Sequence, residues 1–139
     1  MKTTDELQKV LENSDDLEKY LNDNFDDINN ITFTEYIDKY LNEKGLSKSN
    51  VIEQSNIQKN YAYQIFDGSK NPSRNKVLAL AFAMKLDVHE TNRLLKLSNN
   101  SVLYPRVKRD SIICFAITHS NSLMDTNILL DEMDEEIIE

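Results

Sequence analysis

Leu46–Ala83 reads LSKSNVIEQSNIQKNYAYQIFDGSKNPSRNKVLALAFA, and the fold turns on how this stretch is divided. Ser47 is an N-cap for a short helix whose inner face is Val51 and Ile52. Ser55-Asn56-Ile57 ends that helix, and Asn56 is one of the few non-glycine residues that tolerates the left-handed backbone of a tight turn. A second helix is predicted from Gln58 to Phe66, burying Ala62, Ile65 and Phe66. Its other face carries Gln58, Lys59, Asn60, Tyr61, Tyr63 and Gln64. Asp67-Gly68-Ser69 stops it, and Asn71-Pro72-Ser73 turns the chain into a third helix beginning near Arg74.

Upstream, Thr32 and Glu35 have capping-box spacing, and Ile31 with Tyr36 has that of a hydrophobic staple. The helix they open carries Phe33, Tyr36, Ile37, Tyr40 and Leu41 on one face and ends at Gly45. Residues 1–30 show Leu7, Val10, Leu11, Leu17, Tyr20 and Leu21 at helical spacing, with Asp15 and Glu18 as a capping pair, which predicts an acidic helical hairpin.

Downstream lies an internal repeat. RNKVLALAFAMKLDVHETNRLL from Arg74 aligns without gaps on RDSIICFAITHSNSLMDTNILL from Arg109. The caps repeat too, Asp87 with Glu90 and Ser122 with Asp125. Each unit is predicted to be a helix, a turn and a capped second helix, and two such hairpins should stack to bury their apolar faces. The predicted organisation is thus 1–30 as the acidic hairpin, 31–98 as the central domain, 99–133 as the repeated hairpin and 134–139 as an acidic tail with a frayed last helical turn.

Composition bounds the chemistry. The chain has 139 residues, 40% hydrophobic, with two glycines and two prolines, which favours an all-α fold. Zinc needs clustered Cys and His, whereas Cys114 stands alone in the apolar IICF run and His89 and His119 lie far apart. Neither GxxxxGK nor GxGxxG occurs. No enzyme and no cofactor is expected, Cys114 reads as a small core residue, and both histidines read as surface positions. No apolar run approaches the roughly 18 residues of a membrane span, and with one cysteine a cytoplasmic protein is expected.

Net charge is −8, but unevenly spread. Residues 1–33 carry −6, residues 34–109 carry +6, and residues 110–139 carry −8 with no Lys or Arg. The basic block surrounds the Leu46–Ala83 stretch, where a nucleic-acid duplex would need it.

LSKSNVIEQSNI, QKNYAYQIFDG, SKNPS and VLALAFAM, in that order and without a gap, resemble the Cro/C1-type (XRE) helix-turn-helix regulators of bacteria and phages. Ile52 departs from the family's usual alanine, Asn56 from its turn glycine and Phe66 from its common glutamate. The resemblance implies a lambda-repressor-like bundle, here with flanking N-terminal helices and a duplicated C-terminal hairpin. It implies a transcriptional regulator that binds double-stranded DNA, with Gln58, Lys59, Asn60 and Gln64 at base edges. Tyr61 and Tyr63 would touch thymine methyls or phosphates, and Tyr63 serves equally well packed against a neighbouring helix. Ser47, Lys48, Lys70, Asn71 and Arg74 would contact phosphates. Amides pair bidentately with adenine and lysine with guanine, so the residue types suit the role. The acidic 109–130 hairpin is the expected dimer or protein-partner surface, and the acidic tail a candidate competitor for the basic face. The other class of reading is a helix-turn-helix kept as a protein-interaction module, without DNA.

Overall fold

A computed structural model describes residues 3–12, 17 and 31–139. The chain divides into two compact units, Met1–Thr32 and Phe33–Glu139. The described residues are all-α, with eight helices and no strand. In the first unit, α1 spans Thr4–Glu12, and Thr3 and Glu6 cap it reciprocally. The expected second N-terminal helix, with Asp15, Glu18, Tyr20 and Leu21, lies outside the described residues.

The second unit holds seven helices: α2 Phe33–Lys44, α3 Lys48–Ser55, α4 Lys59–Phe66, α5 Arg74–Ala83, α6 Val88–Leu97, α7 Lys108–Thr118 and α8 Leu123–Glu132. Helix α2 begins directly after Thr32 and buries Tyr36, Ile37 and Leu41. Gly45 ends it in the left-handed region (φ 64°), letting Leu46 N–H reach back to the Leu41 carbonyl at 2.8 Å. The Tyr36 hydroxyl donates to the Glu90 carbonyl at 3.1 Å, tying α2 to α6. Helix α5 is the axle: Val77, Leu78, Ala79, Leu80 and Ala81 are all buried, and α3, α6 and α8 pack around it.

The repeat folds as two like hairpins, α5–α6 and α7–α8, joined through α5–α8 and α6–α7 contacts. Lys85 and Ser120 both sit at positive φ between the helices of a hairpin, and Asn99 and Asp134 both do so after them. Asp87 caps α6 with a complete capping box, and Ser122 caps α8 through Asp125 N–H.

The correspondence runs further than Leu130. Asn92 Oδ1 accepts from Leu103 N–H at 2.8 Å, and Asn127 Oδ1 accepts from Ile138 N–H at 2.7 Å. Leu103 and Ile138 are both buried. The expected frayed acidic tail is therefore corrected: the chain leaves α8 after Glu132, turns at Asp134 and is pinned back onto its own hairpin through Ile138. Cys114 also differs from expectation; it is half-buried rather than core. Burial, and then the nearby Asp110 charge, push its thiol pKa up, against an opposing effect of Arg74.

Candidate functional site

The site is built by α3, the turn at Asn56, α4 and the loop into α5. Ser47 Oγ accepts from Asn50 N–H at 3.2 Å and opens α3, whose Val51 and Ile52 are buried. Asn56 takes φ 59°, the left-handed conformation the turn demands. Beneath it the buried Ser55 hydroxyl donates to the Ile52 carbonyl at 2.7 Å and accepts from Ile57 N–H at 3.2 Å, so the turn carries its own polar satisfaction.

Gln58 is the N-cap of α4 rather than its first residue, and its Oε1 accepts from Tyr61 N–H at 2.8 Å. The residue as a whole is exposed. Ala62, Ile65 and Phe66 anchor α4 in the core, while Lys59, Asn60, Tyr63 and Gln64 are exposed and Tyr61 is half-buried. Tyr63 keeps 40% of its surface open. A hollow of about 400 Å³ separates α3 from α4, lined by Ser49, Glu53, Lys59 and Tyr63 among others.

Beyond α4, Gly68 turns at φ 87°. Asp67 Oδ1 accepts from both the backbone and the hydroxyl of Ser69. The Ser69 hydroxyl and then its N–H hold the Asp67 carboxyl below its ordinary value.

The five residues assigned to phosphate by resemblance divide. Ser47, Lys48, Lys70 and Asn71 are exposed. Lys48 Nζ lies 5.8 Å from the centre of the Phe66 ring, and Asn71 Nδ2 donates to the Ser98 carbonyl at 3.1 Å. Arg74 is corrected. Its guanidinium points inward, pairing with both Asp110 oxygens at 3.0 and 2.9 Å and donating to the Ser101 and Val102 carbonyls. These contacts take four of its five N–H groups, and 24% of the side chain stays open. Reading Arg74 as the first residue of a basic helix could not reveal the acid 36 positions on.

One residue that sequence reasoning passed over, Glu53, belongs to this surface, and Ser73 caps α5 as its place in the Asn71-Pro72-Ser73 turn predicts. Glu53 is an exposed acid that lines the same hollow as Lys59. It was legible as an outward α3 position; its place opposite α4 depends on the turn angle. Among the described residues no three His, Cys, Asp or Glu side chains cluster to hold a metal ion, and no helix is long and apolar enough to cross a membrane. Compared with family models, curated proteins and solved structures, the chain matches none of them.

Proposed function

We propose that the chain is a sequence-specific DNA-binding regulator in which α4 enters the major groove, as in the Cro/C1-type pattern that its sequence resembles. One observation carries the reading: a helix anchored by Ala62, Ile65 and Phe66 turns Lys59, Asn60 and Gln64 outward, uncovered by any described part of the chain. Asn60 and Gln64 offer the paired donor and acceptor that adenine takes in the major groove, and Lys59 suits guanine. Gln58 adds a donor from its Nε2, since its oxygen is spent on the cap. Tyr61 and Tyr63 supply ring edges and hydroxyls. Ser47, Lys48, Lys70 and Asn71 would hold phosphates on either side of the helix, positioning it without reading sequence.

Two cations at phosphate, Lys48 and Lys70, set the scale of the salt effect. Each neutralised phosphate contributes about −0.9 to the slope of log K against log salt, so one module gives roughly −2. Between 50 and 200 mM salt that is a loss of roughly fifteenfold. A site read by one short helix is small, so a pair of modules on two half-sites is the natural working form. The α7–α8 hairpin is the surface proposed for a protein partner.

The competing reading, a protein-interaction module, is favoured by Glu53 within the α3–α4 hollow and by the net charge of −8. Fluorescence anisotropy on fragments selected from genomic DNA separates the two. Steep salt dependence and an enriched short sequence support the DNA reading; salt-independent retention, or no retention, removes it.

A further inference from the structure

The two hairpins repeat their tethers position for position. Arg74 Nε donates to the Ser101 carbonyl at 2.9 Å and its Nη2 to that of Val102 at 3.1 Å. Arg109 Nε donates to the Glu136 carbonyl at 2.9 Å and its Nη2 to that of Ile137 at 3.2 Å. Each arginine thus closes the segment that leaves its own hairpin. One bond set is not repeated. Arg74 also grips Asp110, in the first turn of the following hairpin, while Arg109 grips no carboxylate among the described residues. Arg109 instead shares Nη2 with Asn75, the residue standing where Asp110 stands in the second unit.

Burial shows the same one-sidedness. Leu80, Met84 and Ser98 are covered in the first hairpin, whereas their equivalents Phe115, His119 and Met133 are exposed, Phe115 at 53%. The first hairpin packs against α2, α3 and the second hairpin, while the main contacts of the second hairpin are with the first. An apolar outer face on a stacked helical unit is one that a further helix can cover. The second hairpin leaves Phe115, stacked on His119 with ring centres 4.0 Å apart, and Met133 exposed on that face.

We infer that the outer face of the α7–α8 hairpin is a docking site for a helix of a partner polypeptide that carries an aspartate or glutamate in its first turn, placed on Arg109 as Asp110 is placed on Arg74, and an apolar stripe over Phe115. The occupant continues the interface already made between the two hairpins. The α7 of a second copy does not fit that description, because its Asp110 already holds its own Arg74 and the inner face of its second hairpin is already packed. The inference is independent of what α4 binds.

The test extends the full chain after Glu139 by a further copy of residues 105–139, which sets a new Asp110 in the required register. Hydrogen exchange at α7 amides should slow by about tenfold or more relative to the unextended chain. Asp110→Asn in the appended copy alone, a change that touches nothing in the native chain, should remove most of that slowing. Arg109→Gln should remove it too, and the two together no more than either alone. If the extended chain does not fold, a synthetic peptide of residues 105–139 added in trans should bind the native chain, about tenfold more weakly when it bears Asp110→Asn. Unchanged α7 exchange, slowing or peptide binding indifferent to the aspartate, or a native dimer that Phe115→Asp splits would each overturn the proposal, the last by naming a second copy as the occupant.

Discussion

At Asn56 the backbone sits at φ 59°, and the side chain was chosen for a conformation that a β-carbon resists. Asn56→Ala is expected to cost about 1 kcal/mol and Asn56→Gly nothing, both read from urea unfolding midpoints. This residue was legible in the sequence because its requirement is local. Arg74 was not, because its partner lies across the fold. Removing it strands the buried Asp110 and two carbonyls, so Arg74→Ala should cost about 3 kcal/mol or more, measured by chemical denaturation. Asp67 gives a smaller, pH-dependent effect. Ser69 depresses its folded pKa, so the stabilisation of the turn is present above the ordinary 3.8 and is lost as pH falls through the folded value. Ser69→Ala should bring the Asp67 titration back up toward 3.8, as followed by NMR.

Helix α4 separates its duties by face. Lys59 and Asn60 are exposed and Ala62 is fully buried. Lys59→Ala with Asn60→Ala should therefore leave stability within about 0.5 kcal/mol while reducing DNA affinity. Ala62→Asp should instead unfold the α3–α4 pair, since a charge would enter a packed contact. The apolar spacing in the sequence separated the two sets, missing that Gln58 caps the helix and that Tyr61 is half-buried. The last element was harder to read. DEMDEEIIE looks like a solvated acidic run, yet Ile138 is 2% exposed and held by Asn127 from both sides of its peptide group. Its signal was the second Asn of the repeat, Asn127 matching Asn92, rather than anything in the run itself. Asn127→Ala should cost about 1–2 kcal/mol by thermal or urea melts, because it leaves the Ile138 N–H and C=O without their partner.

For the molecule as a whole, charge decides how far the sequence could be trusted. Residues 34–109 are net +6, but Lys44, Arg74, Lys108 and Arg109 use their donors on carbonyls and carboxylates within the chain. The charge survives in the long-range field, while the number of cations free to touch phosphate around α4 shrinks to a few. An all-α class, the α3–α4 turn and the duplicated hairpin were readable from period, caps and self-similarity. The inward use of basic residues was not, because it depends on contacts between segments more than 25 residues apart in the chain.

The most direct measurement is anisotropy of the full chain on its best genomic fragment and on a scrambled one, across a salt series, with and without Lys59→Ala and Asn60→Ala. The expected result is a slope near −2 per module, and a preference for the selected fragment that falls by about tenfold in the double variant. Equal binding to both fragments, or a preference untouched by the double variant, would contradict the assignment of α4 as the reading helix.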